Sequence, residues 1–249
     1  MAQEKRLVWD LPLRLFHWLL VLSLIASWIT AEMGLDNWTV QVSLGSLSIG
    51  WDVAWRQIHF ALGYWMIGLL VFRVLWGLVG PRHARFVNFL PSPKRLFSYI
   101  GASLRGTAAE TVGHNPLGSL MVILMILLIG FQAGTGLFAT DDIIWTGPYY
   151  PAVTNATAKY LTRLHHFNFN LILAAIALHL VAIAFHWLVR KHNLVLPMVT
   201  GKKPADDVPP GEAISNSQLW KAAMVIAVSA AAAYWLIAAA PMPPASLYY

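Results

Sequence analysis

The sequence contains no cysteine. That absence excludes disulfides, thiolate zinc sites, iron–sulfur clusters, cysteine nucleophiles and the covalent attachment of a c-type haem. Any metal or haem is left to the nine histidines, or to carboxylates, Met and Tyr. Charge is scarce as well. Only 11% of the 249 residues are Asp, Glu, Lys or Arg, against about 25% in a soluble domain. With 58% hydrophobic residues and a mean hydropathy of +0.59, the chain is neither disordered nor an ordinary soluble globule. The net charge of +6 does not point to nucleic acid, because the basic residues flank long apolar runs, which is the membrane pattern.

Five runs reach the roughly 20 apolar residues that a bilayer requires. They cover residues 11–31, 57–79, 117–139, 163–189 and 219–240. The first does not read as a cleaved signal peptide: Arg14 and His17 lie inside it, Trp28 lies near its end, and no small-residue cleavage site follows. Lys5, Arg6, Arg82, Arg85, Lys94, Arg95, Arg105, Arg190, Lys191, Lys202, Lys203 and Lys221 fall on one side of these spans. Arg56, Lys159 and Arg163 fall on the other, with Glu32, Asp36, Asp52, Asp141 and Asp142. The positive-inside rule predicts a cytoplasmic N terminus and a periplasmic C terminus in a bacterial inner membrane. The far-side segments 32–56 and 140–162 carry Trp38, Trp51, Trp55, Trp145, Tyr149, Tyr150 and Tyr160. They read as interfacial anchors, with a lid or a partner's docking face as the sharper alternative. Residues 202–211 read as a linker.

Ionisable groups inside a span are costly and usually functional. His165 and His179 are 14 residues apart on the fourth span. They lie about 40° apart around a helix and about 21 Å apart along it. Such a pair cannot share one ion, but it suits two cofactors at two depths. His17 lies near the cytoplasmic end of the first span and His59 near the far end of the second. An antiparallel fourth span sets His165 near the level of His59 and His179 toward that of His17. Two His–His pairs are what low-spin electron-transfer haems use. His166 and His186 are the alternatives for His165 and His179.

Haem propionates require donors at depth. Arg14, Arg73 and Arg163 are the candidates, with snorkelling as the alternative for Arg14 and Arg163. Gly63, Gly130, Gly134 and Gly136 make room either for a macrocycle or for close helix packing. His114-Asn115-Pro116 opens the third span as a cap, Asn at the cap and Pro in the first turn. His114 is also placed to touch a propionate or a quinone. Arg14, Arg73, His83 and His114 are candidates to line a quinone pocket, although His83 and His192 on their own read as exposed.

The stretch Val8-Trp9-Asp10-Leu11-Pro12-Leu13-Arg14-Leu15-Phe16-His17-Trp18 resembles the opening of bacterial membrane cytochromes b. That family groups cytochrome b561 with the b-type cytochrome subunits of nickel–iron hydrogenases. His59-Phe60-Ala61-Leu62-Gly63-Tyr64, Phe72-Arg73-Val74-Leu75-Trp76-Gly77, Gly80-Pro81-Arg82-His83-Ala84-Arg85-Phe86 and Gly113-His114-Asn115-Pro116 are similar to it too, as is Asn193-Leu194 through Met198-Val199-Thr200-Gly201-Lys202. The resemblance spans residues 7–203. It implies an all-α integral membrane protein, a four-helix transmembrane bundle holding two haem b. Here residues 204–218 follow as a cytoplasmic linker and 219–249 as a fifth helix and tail.

Carried over, the ligands are His17 with His179 and His59 with His165. The family usually has an acidic residue after the first of the fourth-span histidines, and here it is His166. The implied function is electron transfer between quinone or quinol and a partner redox protein. That partner is a periplasmic c-type cytochrome or a dehydrogenase or hydrogenase subunit, and homo-oligomers are compatible. The competing readings are a stand-alone quinone-linked oxidoreductase acting on a small molecule such as superoxide, and a His-based metal transporter.

Overall fold

The computed structural model describes residues 4–33, 37–44 and 47–241, and of 37–44 and 47–53 the backbone only. In chain order the elements are β1 (Lys5–Leu7), α1 (Leu11–Glu32), β2 (Asn37–Leu44), β3 (Leu47–Ala54), α2 (Trp55–Val79), α3 (Phe86–Phe89), α4 (Pro93–Leu104), α5 (Pro116–Gly136), α6 (Asn155–Leu188), α7 (Val195–Thr200), β4 (Lys202–Pro204) and α8 (Leu219–Ala238). α1, α2, α5, α6 and α8 are each long and apolar enough to cross a membrane.

Three of the long helices start on a side chain that closes their first turn. Asp10 accepts from the Leu13 N–H at 2.9 Å, Asn115 from Gly118 at 2.7 Å, and Thr154 from Thr157 at 3.2 Å. Pro12 and Pro116 follow the first two caps, where a missing N–H costs nothing. α6 begins at Asn155, eight residues before the apolar run. The Thr154 cap lets the polar stretch Asn155–Thr162 join the helix, so residues 155–162 are not loop.

α1 packs along α2, α5 along α6, α8 along α2, and α2 meets α5. Buried Leu70, Ile129 and Ile172 join α2, α5 and α6 at mid-bundle. A larger core at the basic end joins Val8, Trp9, Leu13, Phe16, Phe72, Trp76, Val208, Ala222 and Val225. Elsewhere the helices turn large apolar side chains outward, among them Leu22, Leu127, Val181 and Leu188. That inversion suits lipid as the outer solvent.

At the basic end, β1 and β4 pair antiparallel, with Arg6 opposite Lys203. Gly201 ends α7 at φ +81°, and its carbonyl accepts from the N–H groups of Val8 (2.9 Å) and Trp9 (3.0 Å). Residues 204–218 are packed rather than an open linker. Val208 is fully buried beside Val8 and Trp9, and Ile214 N–H donates to the Leu7 carbonyl. Gly77 lets α3 approach α2, since a Cβ there would stand 2.1 Å from the Phe86 ring.

At the opposite end, β2 and β3 form an antiparallel hairpin, Asn37 opposite Ala54 and Leu44 opposite Leu47. The anchoring roles expected of Trp38 and Trp51 fall outside the described side chains, and Asp36 outside the described residues. Segment 137–154 folds back on the bundle. Asp141 Oδ1 accepts from the N–H groups of Ile143, Ile144 and Trp145, Trp145 packs on Phe60, and the Tyr149 hydroxyl donates to Leu236 of α8 at 2.7 Å.

Candidate cofactor site

His59 of α2 and His165 of α6 face one another with ring centroids 6.4 Å apart. Each ring is held the same way. His59 Nδ1 lies 2.9 Å from the Ser27 carbonyl of α1, and His165 Nδ1 lies 3.0 Å from the Gln132 carbonyl of α5. A carbonyl only accepts, so both Nδ1 atoms carry a proton, which in the neutral imidazole leaves the lone pair on Nε2. This is the state a metal requires, with the second nitrogen fixed by a neighbouring acceptor.

The supports repeat on the two helices. Thr30 sits three residues after Ser27 and donates to that same carbonyl. Thr135 sits three residues after Gln132 and does likewise. Hydroxyls also reach the imidazoles: Ser27 Oγ lies 3.3 Å from His59 Nδ1 and Thr135 Oγ1 lies 3.2 Å from His165 Nδ1. Asn168, 3% exposed, donates to the Leu128 carbonyl and to Gln132 Oε1, locking the supporting segment of α5 to α6. Two imidazoles bound to one metal through bonds of about 2 Å have centroids about 6 Å apart, a separation close to the 6.4 Å between these rings. A Cβ on Gly63, one turn past His59, or on Gly134 would meet nothing within 4 Å. Space therefore lies open beside both glycines. His166 stands beside His165, with ring centroids 6.2 Å apart, but only His165 is paired with His59 and tied to α5.

The second pair is less tightly built. His179 lies within Coulombic range of His17, and His17 Nδ1 is buried without a hydrogen-bond partner. His186 sits farther along α6, among His192, Arg190 and Glu110. Among the described residues, no group of three or more His, Asp or Glu is arranged to hold a metal ion.

The arginines separate into distinct environments. Arg73 is 2% exposed. It donates to the Ala84 carbonyl at 3.2 Å, lies over the Phe86 ring at 4.6 Å, and keeps one terminal nitrogen without a partner. Arg14 donates to the Val199 carbonyl, while its Nε is buried and unpartnered. Arg163 is exposed and lies against Tyr160, as a snorkelling side chain would. Arg56, not among the residues expected from the sequence, acts electrostatically on His59 and also has a buried, unpartnered Nε. Its signal is a repeat: Arg14-x-x-His17 and Arg56-x-x-His59 share one spacing. The signal for Ser27, Thr30 and Thr135 is weaker, small hydroxyl residues inside apolar spans. Thr30 and Thr135 satisfy themselves on preceding carbonyls and, like Ser27, are silent in sequence.

At the basic end, His114 packs between Trp9 and Phe89, at 4.8 and 4.9 Å. Burial, reinforced by Arg73, His83, Lys203 and His17, pushes its pKa down to about 3, so it is neutral at pH 7. His83 is buried, contrary to the expectation of exposure. Its Nε2 lies 2.7 Å from the Glu212 carbonyl, because the segment after β4 folds over it, and burial lowers its pKa. Lys203 is buried too, donates to the Thr111 carbonyl at 3.2 Å, and has its pKa lowered by that burial. Asp10 accepts from Trp76 Nε1 at 2.9 Å and burial raises its pKa, against the pull of the Leu13 and Trp76 donors. Arg14, Arg73, His83 and His114 therefore all belong to this end of the bundle. His83 and His114 are drawn together around Trp9, and Arg73 acts on His114.

Three proteins similar to this chain carry the name probable Ni/Fe-hydrogenase B-type cytochrome subunit. The one from Rhizobium leguminosarum bv. viciae is 24% identical over 220 residues, covering 79% of this chain and 87% of the relative. That from Azotobacter chroococcum is 25% identical, covering 78% and 86%, and that from Rhodobacter capsulatus is 26% identical, covering 80% and 82%. No solved structure gives a significant match. The sequence model of prokaryotic cytochrome b561 matches residues 8–201, from just past β1 to the end of α7. With that match over most of its length and five membrane-crossing helices, the chain belongs to the prokaryotic cytochrome b561 family: it is a transmembrane, haem-bearing electron-transfer protein of the b type.

Proposed function

We propose that the chain moves electrons across the bacterial inner membrane between the quinone pool and a partner redox protein, with two bis-histidine b haems supplying the one-electron chemistry. The observation that carries this reading is the His59–His165 pair. Its rings stand 6.4 Å apart, each with Nδ1 directed at a carbonyl and Nε2 left for a metal. His17 and His179 hold the second group at the basic end. A haem held by two histidines would leave no open site for substrate at its iron, which suits electron transfer.

The other residues hold and shield. Ser27, Gln132 and Thr135 orient the outer imidazoles. Arg56 serves a carboxylate at the outer pair, and Arg14 and Arg73 serve one at the inner pair. His114, neutral and enclosed, is a hydrogen-bonding group beside Arg73 rather than a second cation. We assign it as a candidate partner for a quinone headgroup. The names of the relatives make a nickel–iron hydrogenase the first partner to test. The distribution of basic residues supports a cytoplasmic N terminus and a periplasmic C terminus.

The test is anaerobic mixing of the purified, oxidised protein with a short-chain quinol. The reading expects a reduced b-type spectrum to appear and to be reversed by excess quinone. A haem that exchanges electrons with neither would overturn the quinone link.

A further inference from the structure

α4 runs Pro93–Leu104 between two membrane-crossing helices, α2 and α5, and packs beside α5. Its side chains divide into three stripes. Leu96, Tyr99, Ile100 and Ser103 are half-buried toward the rest of the protein. Phe97 and Leu104 are 71% and 85% exposed, and seven residues apart they lie within about 20° of each other around the helix. Lys94 and Arg105, both exposed, lie 11 residues apart, again about 20° from a common line. That line sits roughly 80° round from the Phe97–Leu104 line. Arg95 is exposed as well. The surroundings extend both properties. Val87 and Leu90 are exposed apolar residues on the approach to α4, and Arg82, Arg85, Arg190, Lys191 and Lys202 carry the same sign of charge at this end of the bundle.

Two large apolar side chains exposed on one line, with cations on the neighbouring line, form the pattern of a helix lying in a membrane surface. The apolar line enters the acyl boundary while the long basic side chains reach the headgroups. The tether at both ends matters too. α4 is reached from the end of one span and leads to the start of the next, so it cannot be far from the bilayer. We propose that α4 lies on the lipid surface at the basic end of the bundle, seating Phe97 and Leu104 among acyl chains and Lys94 and Arg105 on anionic phospholipid headgroups.

The absence of cysteine makes the test clean. Phe97→Cys, Leu104→Cys and Ser98→Cys each give the full-length protein one thiol for a fluorescent label. The labelled proteins are reconstituted in vesicles of phosphatidylcholine alone, or of equal parts phosphatidylcholine and phosphatidylglycerol. They are then quenched with brominated acyl chains or with aqueous iodide. Labels at 97 and 104 are expected to be quenched severalfold more by brominated lipid than the label at 98, and more so with phosphatidylglycerol. Adding Lys94→Gln and Arg105→Gln is expected to abolish the phosphatidylglycerol effect. Equal iodide access at 97, 98 and 104 would overturn the proposal. So would shielding of 97 and 104 from both quenchers, which would mean that protein covers them, or quenching that is indifferent to phosphatidylglycerol.

Discussion

The two neighbouring histidines His165 and His166 pose the sharpest question at the scale of single residues. Their rings stand side by side, yet only His165 is both paired with His59 and tied to the Gln132 carbonyl. His165→Ala is therefore expected to remove one haem and leave the other, while His166→Ala keeps both. Optical redox titration of each variant checks this, and loss of a haem in His166→Ala would reassign the ligand. Arg56 leads to a second expectation. A guanidinium near a haem carboxylate favours the reduced, less positive iron. Arg56→Gln should thus lower the potential of the outer haem by on the order of tens of millivolts, with little effect on the inner one. An unchanged outer potential would remove Arg56 from the site.

The approach of His59 to His165 was legible in the sequence because an antiparallel fourth span sets the two at one level. The supports of those histidines were not legible. Ser27 and Gln132 act through main-chain carbonyls, and a carbonyl has no letter of its own. Arg56 was overlooked because it lies at the very start of α2, where a basic residue reads as an interfacial anchor.

Among the elements, the long helices were predictable from apolar length and from their caps, and their bounds shift mainly where polar residues join a helix, as Asn155–Thr162 do in α6. At 34 residues α6 is about 51 Å long, more than the roughly 30 Å of a hydrocarbon core. Its first turns therefore project beyond the bilayer, where Lys159 pairs with Asp142. The short elements were hidden. β1 and β4 have three residues each and are separated by nearly the whole chain, so no local pattern announces them.

Gly201 joins them to α7 and shows what that junction is worth. It sits at φ +81°, and a Cβ would come within 2.7 Å of the Trp9 carbonyl oxygen. Gly201→Ala is expected to destabilise the protein by at least about 1 kcal/mol and to lower its melting temperature in detergent. A melting temperature equal to the parent's would show that the β1–β4 junction contributes little.

At the scale of the molecule, the bundle has two different ends. The basic end is a closed platform in which Trp9 and Trp76 are buried with Val8, Val208 and Ala222. The opposite end holds the well-built His59–His165 pair under the Asp141 turn and the packed Trp145. Composition foretold the five membrane-crossing helices. The packing of the supposed linker was not foretold, because Pro, Gly and charge also suit a folded cap whose polar atoms are satisfied by partners distant in sequence.

The central claim is that two histidine pairs at two depths each hold a b haem. Haem and protein quantified together on the purified chain, by pyridine haemochrome with a reduced-minus-oxidised spectrum, test it most directly. The account predicts two b haems per chain. One haem, or none in a folded protein expressed with haem available, would contradict it.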